Sequence, residues 1–307
     1  MRKPFIEMKK IVSQIRQLKN KKKALILAHS YQPPEVQDIA DFVGDSLELS
    51  RKAVKTKKKI IVFCGVNFMA ETAKILNPEK MVIMPDLTAT CPMADMIDRR
   101  KLRRIKSKHP KAKIVCYVNT TSAVKAKSDI CCTSANAPEV VRSIKSPEII
   151  FVPDYHLGEW AAEEANRKLI LCPGFCPVHM KISDKEIIKL KNKRPKVKVL
   201  SHPECRKNVK LVSNFILSTG QMIKKVKRIK AKEFVIATEK DMIHRLKKEA
   251  PDKRFYHLWP SAVCSNMKKI TLPKIKKALE NPEKYEIKIE KAILKAARLP
   301  IERMLNL

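Results

Sequence analysis

Glycine is almost missing from this chain, with 5 among 307 residues. Neither GxGxxG nor a P-loop occurs, so nucleotide binding through a glycine-rich phosphate loop is not expected. Aromatic residues make up only 5%, which leaves any core to Ile, Leu, Val and Ala. No apolar run reaches the roughly eighteen residues a membrane helix needs. The opening MRKPFIEMKKIVSQIRQLKNKKK has neither an apolar signal core nor a small-residue cleavage site. A cytoplasmic protein without membrane contact is expected. Acidic residues are also short, 31 against 66 Lys and Arg, for a net charge of +35. Such a charge suits nucleic acid through counterion release. The lysines are spread along the chain, however, with small clusters only at Lys21–Lys23 and Lys57–Lys59, no basic tail and no interleaved aromatics. A solvated lysine-rich surface, mildly attractive to anionic substrates, is the reading adopted. Specific nucleic-acid binding is not expected. The rival class, a basic iron–sulfur or zinc protein that binds nucleic acid, rests on charge alone.

CxxC is absent too, which counts against a thioredoxin-like motif or an ordinary zinc ribbon. There are nine cysteines, an odd number in a chain expected to stay in a reducing compartment, so a disulfide framework is excluded. Three of them recur in one setting: MVIMPDLTATC (81–91), LILCPGFCPVH (169–179) and FYHLWPSAVC (255–264). Each is a short strand-like run, a proline, then a cysteine in a loop. Cys91, Cys176 and Cys264 stand 85 and 88 residues apart. That spacing suggests three copies of one unit, each presenting a thiolate to a shared site.

The rest of the chain follows the repeat. Strands are expected at 24–31, 41–46, 59–65 and 81–85 in the first unit, at 112–119, 129–134, 148–154 and 169–173 in the second, and at 197–202, 214–219, 233–239 and 255–260 in the third. Helices are expected between the strands within each unit, including one starting at Ser46 and one over 158–166, and a further helix over 1–20. Strands alternating with helices argue for parallel α/β layers. The fold class expected is α/β: three pseudo-symmetric αβα three-layer domains with short parallel sheets around a central cluster site. The units span 1–100, 101–187 and 188–272, and the helices of 273–307 are expected to pack on the first.

Superposing the units aligns further polar residues. The first strands end at His29, Asn119 and His202; the second short strands end at Ser46, Ser134 and Thr219, 17, 15 and 17 residues later. Strand C-termini and helix N-termini form the functional edge of such layers, so these positions should converge. The hydroxyls could serve as ordinary helix caps, could bind carboxylate or phosphate at helix N-termini, or both. Three thiolates without an obvious fourth suit an iron–sulfur cluster with one open iron. Zinc held by the three cysteines and His179 is the second reading. Cys64, Cys116, Cys131 and Cys132 read as buried thiols inside strands. Glu204, in SHPEC, is a candidate acid or base, and Tyr31 and Tyr117 are candidate proton donors. His109, His156, His244 and His257 have no such context.

The motifs AHSYQPPEVQDIAD, GDSLELS, DLTATCPMADM, YVNTTSAVKAKSDICCTSANA, PDYHLGEW, PGFCPVH, SHPEC, STGQM and CSNMKKITL together resemble the quinolinate synthase family over about residues 25–272. The resemblance implies an enzyme of transferase or lyase type that condenses iminoaspartate with dihydroxyacetone phosphate. Phosphate and water are released and quinolinate, the precursor of the NAD pyridine ring, is formed. It implies a [4Fe-4S] cluster held by Cys91, Cys176 and Cys264, whose open iron acts as a Lewis acid. It places His29, Ser46, Tyr117, Asn119, Ser134, His202, Glu204 and Thr219 against substrate, and gives proton transfer to Glu204, Tyr31 and His29. A transient contact with the enzyme supplying the imine is implied as well. Two departures stand out: Ser30 replaces the asparagine of the family's AHNYQ, and Ser261 leaves no CxxC redox pair at the third cysteine. Cys172 has no counterpart and no assigned role.

Overall fold

The structure, a computed structural model, describes residues 2–307, with side chains from residue 6 onward. A long amphipathic helix, α1 (Arg2–Lys21), leads into the first unit. Its strands are β1 (Ala24–His29), β2 (Phe42–Gly44), β3 (Ile60–Cys64) and β4 (Met81–Ile83), joined by α2 (Pro34–Ile39), α3 (Ser46–Lys55) and α4 (Asn67–Leu76). Helix α5 (Arg99–Lys108) opens the second unit, with β5 (Lys113–Tyr117), β6 (Ile130–Cys132), β7 (Ile149–Val152) and β8 (Ile170–Leu171). Its connecting helices are α6 (Ser122–Lys125), α7 (Ala137–Ser143) and α8 (Tyr155–Ala165). Helix α9 (Asp184–Lys193) opens the third, with β9 (Lys198–Ser201), β10 (Phe215–Ile216), β11 (Glu233–Ala237) and β12 (Arg254–Tyr256). Helices α10 (Lys207–Leu211), α11 (Thr219–Arg228) and α12 (Met242–Glu249) connect these strands. Helices α13 (Leu272–Glu280) and α14 (Lys291–Leu305) complete the chain.

All three sheets are parallel and four-stranded, with the same order: β2-β1-β3-β4, β6-β5-β7-β8 and β10-β9-β11-β12. In each, the chain reverses direction of travel between the first and third strands, so a crevice opens at their carboxyl ends. The expectation of three α/β layers around short parallel sheets is what is found.

The repeat runs deeper than the cysteine spacing. Each cysteine is followed three residues later by a 3-10 turn, starting at Ala94, His179 and Met267, and eight residues later by a helix, at Arg99, Asp184 and Leu272. Helix α13 is therefore the third unit's counterpart of α5 and α9, not part of a separate tail. Having no fourth unit to enter, it packs against α1 and β3 of the first. The last helix, α14, lies against β6 and α6 of the second unit as well as α4 of the first, so it joins two units rather than covering one.

Two of these helices, α5 and α9, have no counterpart in the sequence expectations. Their apolar stripe is too thin to register, with Leu102 and Ile187 respectively their only buried residues. Helix α8 begins at Tyr155 rather than 158, because the Asp154 carboxylate accepts from the Leu157 amide at 2.7 Å and caps it earlier.

Strand interiors are buried on both faces, as helix-covered parallel sheets require. In the third unit the period of two is visible: Val199, Val235 and Ala237 point into one apolar cluster, Leu200, Phe234 and Ile236 into another. The first two units share one continuous core with α13 and α14. Among the described residues no helix is long and apolar enough to cross a membrane.

Candidate functional site

The carboxyl ends of the three first strands face a common cavity of about 170 Å³. Each unit delivers one cysteine to it, Cys91, Cys176 and Cys264. Of the nine cysteines, all free, these three alone are partly exposed. Cys172 is buried in the core and does not line the cavity, as its place at the end of β8 would dictate. Burial pushes the Cys91 thiol up to about 12, Cys176 well above the usual range, and Cys264 upward as well. Binding a metal here must therefore displace protons, and its strength rises with pH.

His29, Asn119 and His202 line the same cavity, as do Ser46, Ser134 and Thr219, and Tyr31, Tyr117 and Glu204. The structure thus brings together all twelve residues singled out by spacing and resemblance. Their contacts assign them different tasks.

His29 and His202 are a matched pair. The Tyr31 amide donates to His29 Nδ1 at 3.2 Å, and the Glu204 amide to His202 Nδ1 at 3.3 Å. Each ring spends Nδ1 as acceptor on the amide two residues on, which leaves the proton on Nε2, aimed at the cavity. Burial lowers both to about 3, so both rings are neutral at physiological pH. His202 Nε2 donates to Ser134 Oγ at 3.1 Å, which frees the Ser134 hydroxyl proton for another acceptor.

The hydroxyls are not helix caps, and here the structure corrects the simpler expectation. Helix α3 is capped by Asp45, which forms a capping box with Glu48, and α11 by Ser218 with Gln221. Ser46 and Thr219 are the first helical residues, one place further in. Ser134 lies two residues before the Asn136 at the start of α7. Thr219 Oγ1 is buried with no partner, as is Asn119 Oδ1. Two orphaned polar atoms in one cavity are a standing cost unless a ligand satisfies them. The two N-termini, α3 and α11, meet closely: Ser218 Oγ donates to Asp45 Oδ2 at 3.1 Å. A Cβ on Gly220 would fall 2.7 Å from that same oxygen, which explains the glycine.

Glu204 is the charged centre of the site, 3% exposed. Burial raises its pKa, but His202, His179 and the Tyr117 hydroxyl outweigh this and hold it at about 2. Tyr117 donates to Oε1 at 2.6 Å, and Asn119 Nδ2 lies 3.5 Å from the same oxygen. On its other side Oε2 lies 2.8 Å from His179 Nδ1, an ion-pair distance outside hydrogen-bond alignment. His179 Nε2 bonds Thr238 Oγ1 at 2.9 Å, and Thr238 Oγ1 in turn bonds the Tyr31 hydroxyl. The chain Glu204–His179–Thr238–Tyr31 therefore runs across all three units. Burial and the Glu204 charge push Tyr31 and Tyr117 well above the usual tyrosine range, so both are proton donors.

Sequence reasoning considered His179 only as a zinc ligand and did not consider Thr238. A readable signal existed for the second: Thr238 follows β11 directly, at the same functional edge as Asp154 after β7. Cys176, His179 and Glu204 also place three donor atoms within 4.8 Å of one another. That group could hold one divalent cation, but it would leave Cys91 and Cys264 unused.

Comparison with known proteins gives a consistent picture. The family model described as Quinolinate synthetase A protein matches residues 13–306. The chain is 52% identical over 296 residues to a quinolinate synthase of Dehalococcoides mccartyi strain CBDB1, covering 96% of this chain and 98% of that protein. It is 49% identical to quinolinate synthase 2 of Methanosarcina acetivorans, covering 96% and 95%. To the quinolinate synthase of Aquifex aeolicus it is 47% identical over 309 residues, covering 98% and 95%.

Proposed function

The chain belongs to the quinolinate synthase family, and from that premise we propose that it condenses iminoaspartate with dihydroxyacetone phosphate, releasing phosphate and water and forming quinolinate. The observation that carries the reading is the convergence of three thiols, one per unit, with two unsatisfied polar atoms in one small cavity.

The donors fit a [4Fe-4S] cluster. Cys91, Cys176 and Cys264 would hold it, each on a loop whose cysteine carbonyl is pinned by a following amide. When bound, the cluster supplies an iron without a protein thiolate, a Lewis acid for substrate oxygen or nitrogen.

The other residues bind, orient and move protons. Thr219 and Ser46, at the N-termini of α11 and α3, receive the carboxylates of the imine, where helix dipole and hydroxyl both favour negative charge. Ser134, its oxygen occupied by His202, donates its proton to a substrate oxygen. His29 donates from Nε2. Tyr31 lines the cavity as one end of the relay; a proton lost from its hydroxyl is replaced through Thr238 from His179, whose other ring nitrogen faces Glu204 Oε2 at 2.8 Å. Tyr117 and Asn119 hold Glu204 in place. This sequence of groups suits a condensation that ends in dehydration, because loss of water needs a proton delivered to a poor leaving group.

Nine free thiols suit a reducing compartment, which supports a cytoplasmic setting. A passing contact with the enzyme that makes the short-lived imine belongs to the same proposal. The test is product formation: anaerobically reconstituted protein, given an imine-generating system and dihydroxyacetone phosphate, should yield quinolinate. Omitting either partner should abolish it. Iron-loaded protein that forms no quinolinate under these conditions would refute the proposal.

A further inference from the structure

The half-buried Lys268 and the buried Glu239 form a cluster beside the third cysteine that none of the steps above uses. Glu239 is fully buried, stands two residues beyond β11 and lines the cavity. Its Oε1 accepts from the Cys264 amide at 3.2 Å and from Lys268 Nζ at 2.7 Å; its Oε2 accepts from the Asp241 amide at 2.8 Å. Lys268 Nζ also lies 2.6 Å from Asp241 Oδ2 and donates to the Tyr31 carbonyl at 2.5 Å. Its own amide donates to the Cys264 carbonyl at 3.2 Å. A single ammonium thus draws together the loop of Cys264 in the third unit and the backbone of Tyr31 in the first.

A carboxylate beside a metal thiolate needs a reason. Alone, Glu239 would repel a negatively charged cluster, and burial would leave it uncompensated. The lysine offsets that charge while the carboxylate keeps its grip on the Cys264 amide. Partners that orient metal ligands through the shell behind them commonly change metal retention by ten- to a hundredfold when removed.

Resting on the cluster reading above, we propose that Lys268 and Glu239 are positioning residues which fix the Cys264 corner of the cluster and lock it to Tyr31. Neither side chain is assigned a step in the reaction. It determines where one ligand sits and, through the Tyr31 backbone, where the relay meets the cavity.

The test uses whole protein reconstituted anaerobically, as wild type, Lys268→Met, Lys268→Arg and Glu239→Gln. The readouts are the rate of iron release to a chelator, followed by visible absorbance, and the split between kcat and KM. Lys268→Met should load iron and sulfide to the wild-type level but lose them about tenfold faster. Its kcat should fall with KM little changed, and Lys268→Arg should stay within about twofold of wild type. Glu239→Gln, which keeps the shape and one acceptor oxygen for the Cys264 amide but drops the charge and the acceptor for the Asp241 amide, should release iron faster than wild type by a smaller factor. It carries the test if Lys268→Met fails to fold. Iron release at the wild-type rate from both Lys268→Met and Glu239→Gln overturns the inference. So does failure of arginine to restore what methionine removes. A wild type that takes up no iron overturns the cluster reading, and this inference with it.

Discussion

Acid should destabilise this protein through two particular histidines. His29 and His202 are 5% and 4% exposed and held at about 3 in the folded chain. In the unfolded chain they return to about 6.5. A folded pKa below the unfolded one means that the unfolded state takes up protons first as pH falls. The stability these rings contribute is complete above about pH 6.5 and is lost as pH drops toward 3. Near pH 5 the loss is about 1.5 units times 1.36 kcal/mol, or about 2 kcal/mol per ring and about 4 kcal/mol for the pair. That figure needs only that both native rings stay neutral at pH 5. Against a typical stability of about 5–15 kcal/mol it is a large share. The control comes from the pseudo-symmetry: the second unit has Asn119 at the equivalent position. In His29→Asn/His202→Asn a polar side chain stays at each position, but nothing titrates. Urea denaturation of metal-free protein at pH 7 and pH 5 measures the difference. Wild type should lose about 4 kcal/mol more than the double variant between the two conditions. Equal losses would refute the buried neutral histidines and the proton placement drawn from them.

Four further outcomes follow from the site. Cys176→Ser should abolish iron binding while Cys172→Ser leaves it unchanged, measured by iron content after reconstitution; equal loss in both would overturn the ligand assignment. Thr219→Val removes an orphaned hydroxyl, so stability should hold or rise slightly while KM for the imine rises about tenfold, one lost hydrogen bond. Ser218→Ala, one residue earlier, should do the reverse, costing about 1 kcal/mol in denaturation as a lost cap with little change in KM. Thr238→Val keeps the shape but cuts the link between Tyr31 and His179, and kcat should fall about a hundredfold with KM unchanged in steady-state assays.

How much of this could be read in advance depended on whether the signal was local. The cysteines were legible because strand, proline and loop recur at a near-constant interval, and the first-strand residues because each ends an apolar run. The caps were not. Asp45-Ser46 and Ser218-Thr219 are both pairs of good cap formers, and only backbone geometry decides which member is the cap. Nor was the relay: Tyr31 and Thr238 are 207 positions apart and belong to different units. Spacing within a repeat aligns equivalent positions, whereas His179 and Thr238 act together because they are not equivalent. The helices after the first two cysteine loops escaped for a different reason, since nearly all their residues face solvent and periodicity has little to register.

The central claim is that three units converge to hold one cluster on three thiolates, and metal content tests it most directly. Protein purified and reconstituted without oxygen should be brown and contain about four irons and four sulfides per chain, as a [4Fe-4S] cluster requires. Replacing any one of Cys91, Cys176 or Cys264 should remove them. Colourless protein carrying a single zinc, retained after loss of Cys91 or Cys264 and lost with His179 or Glu204, would contradict the account and hand the site to the Cys176–His179–Glu204 group instead.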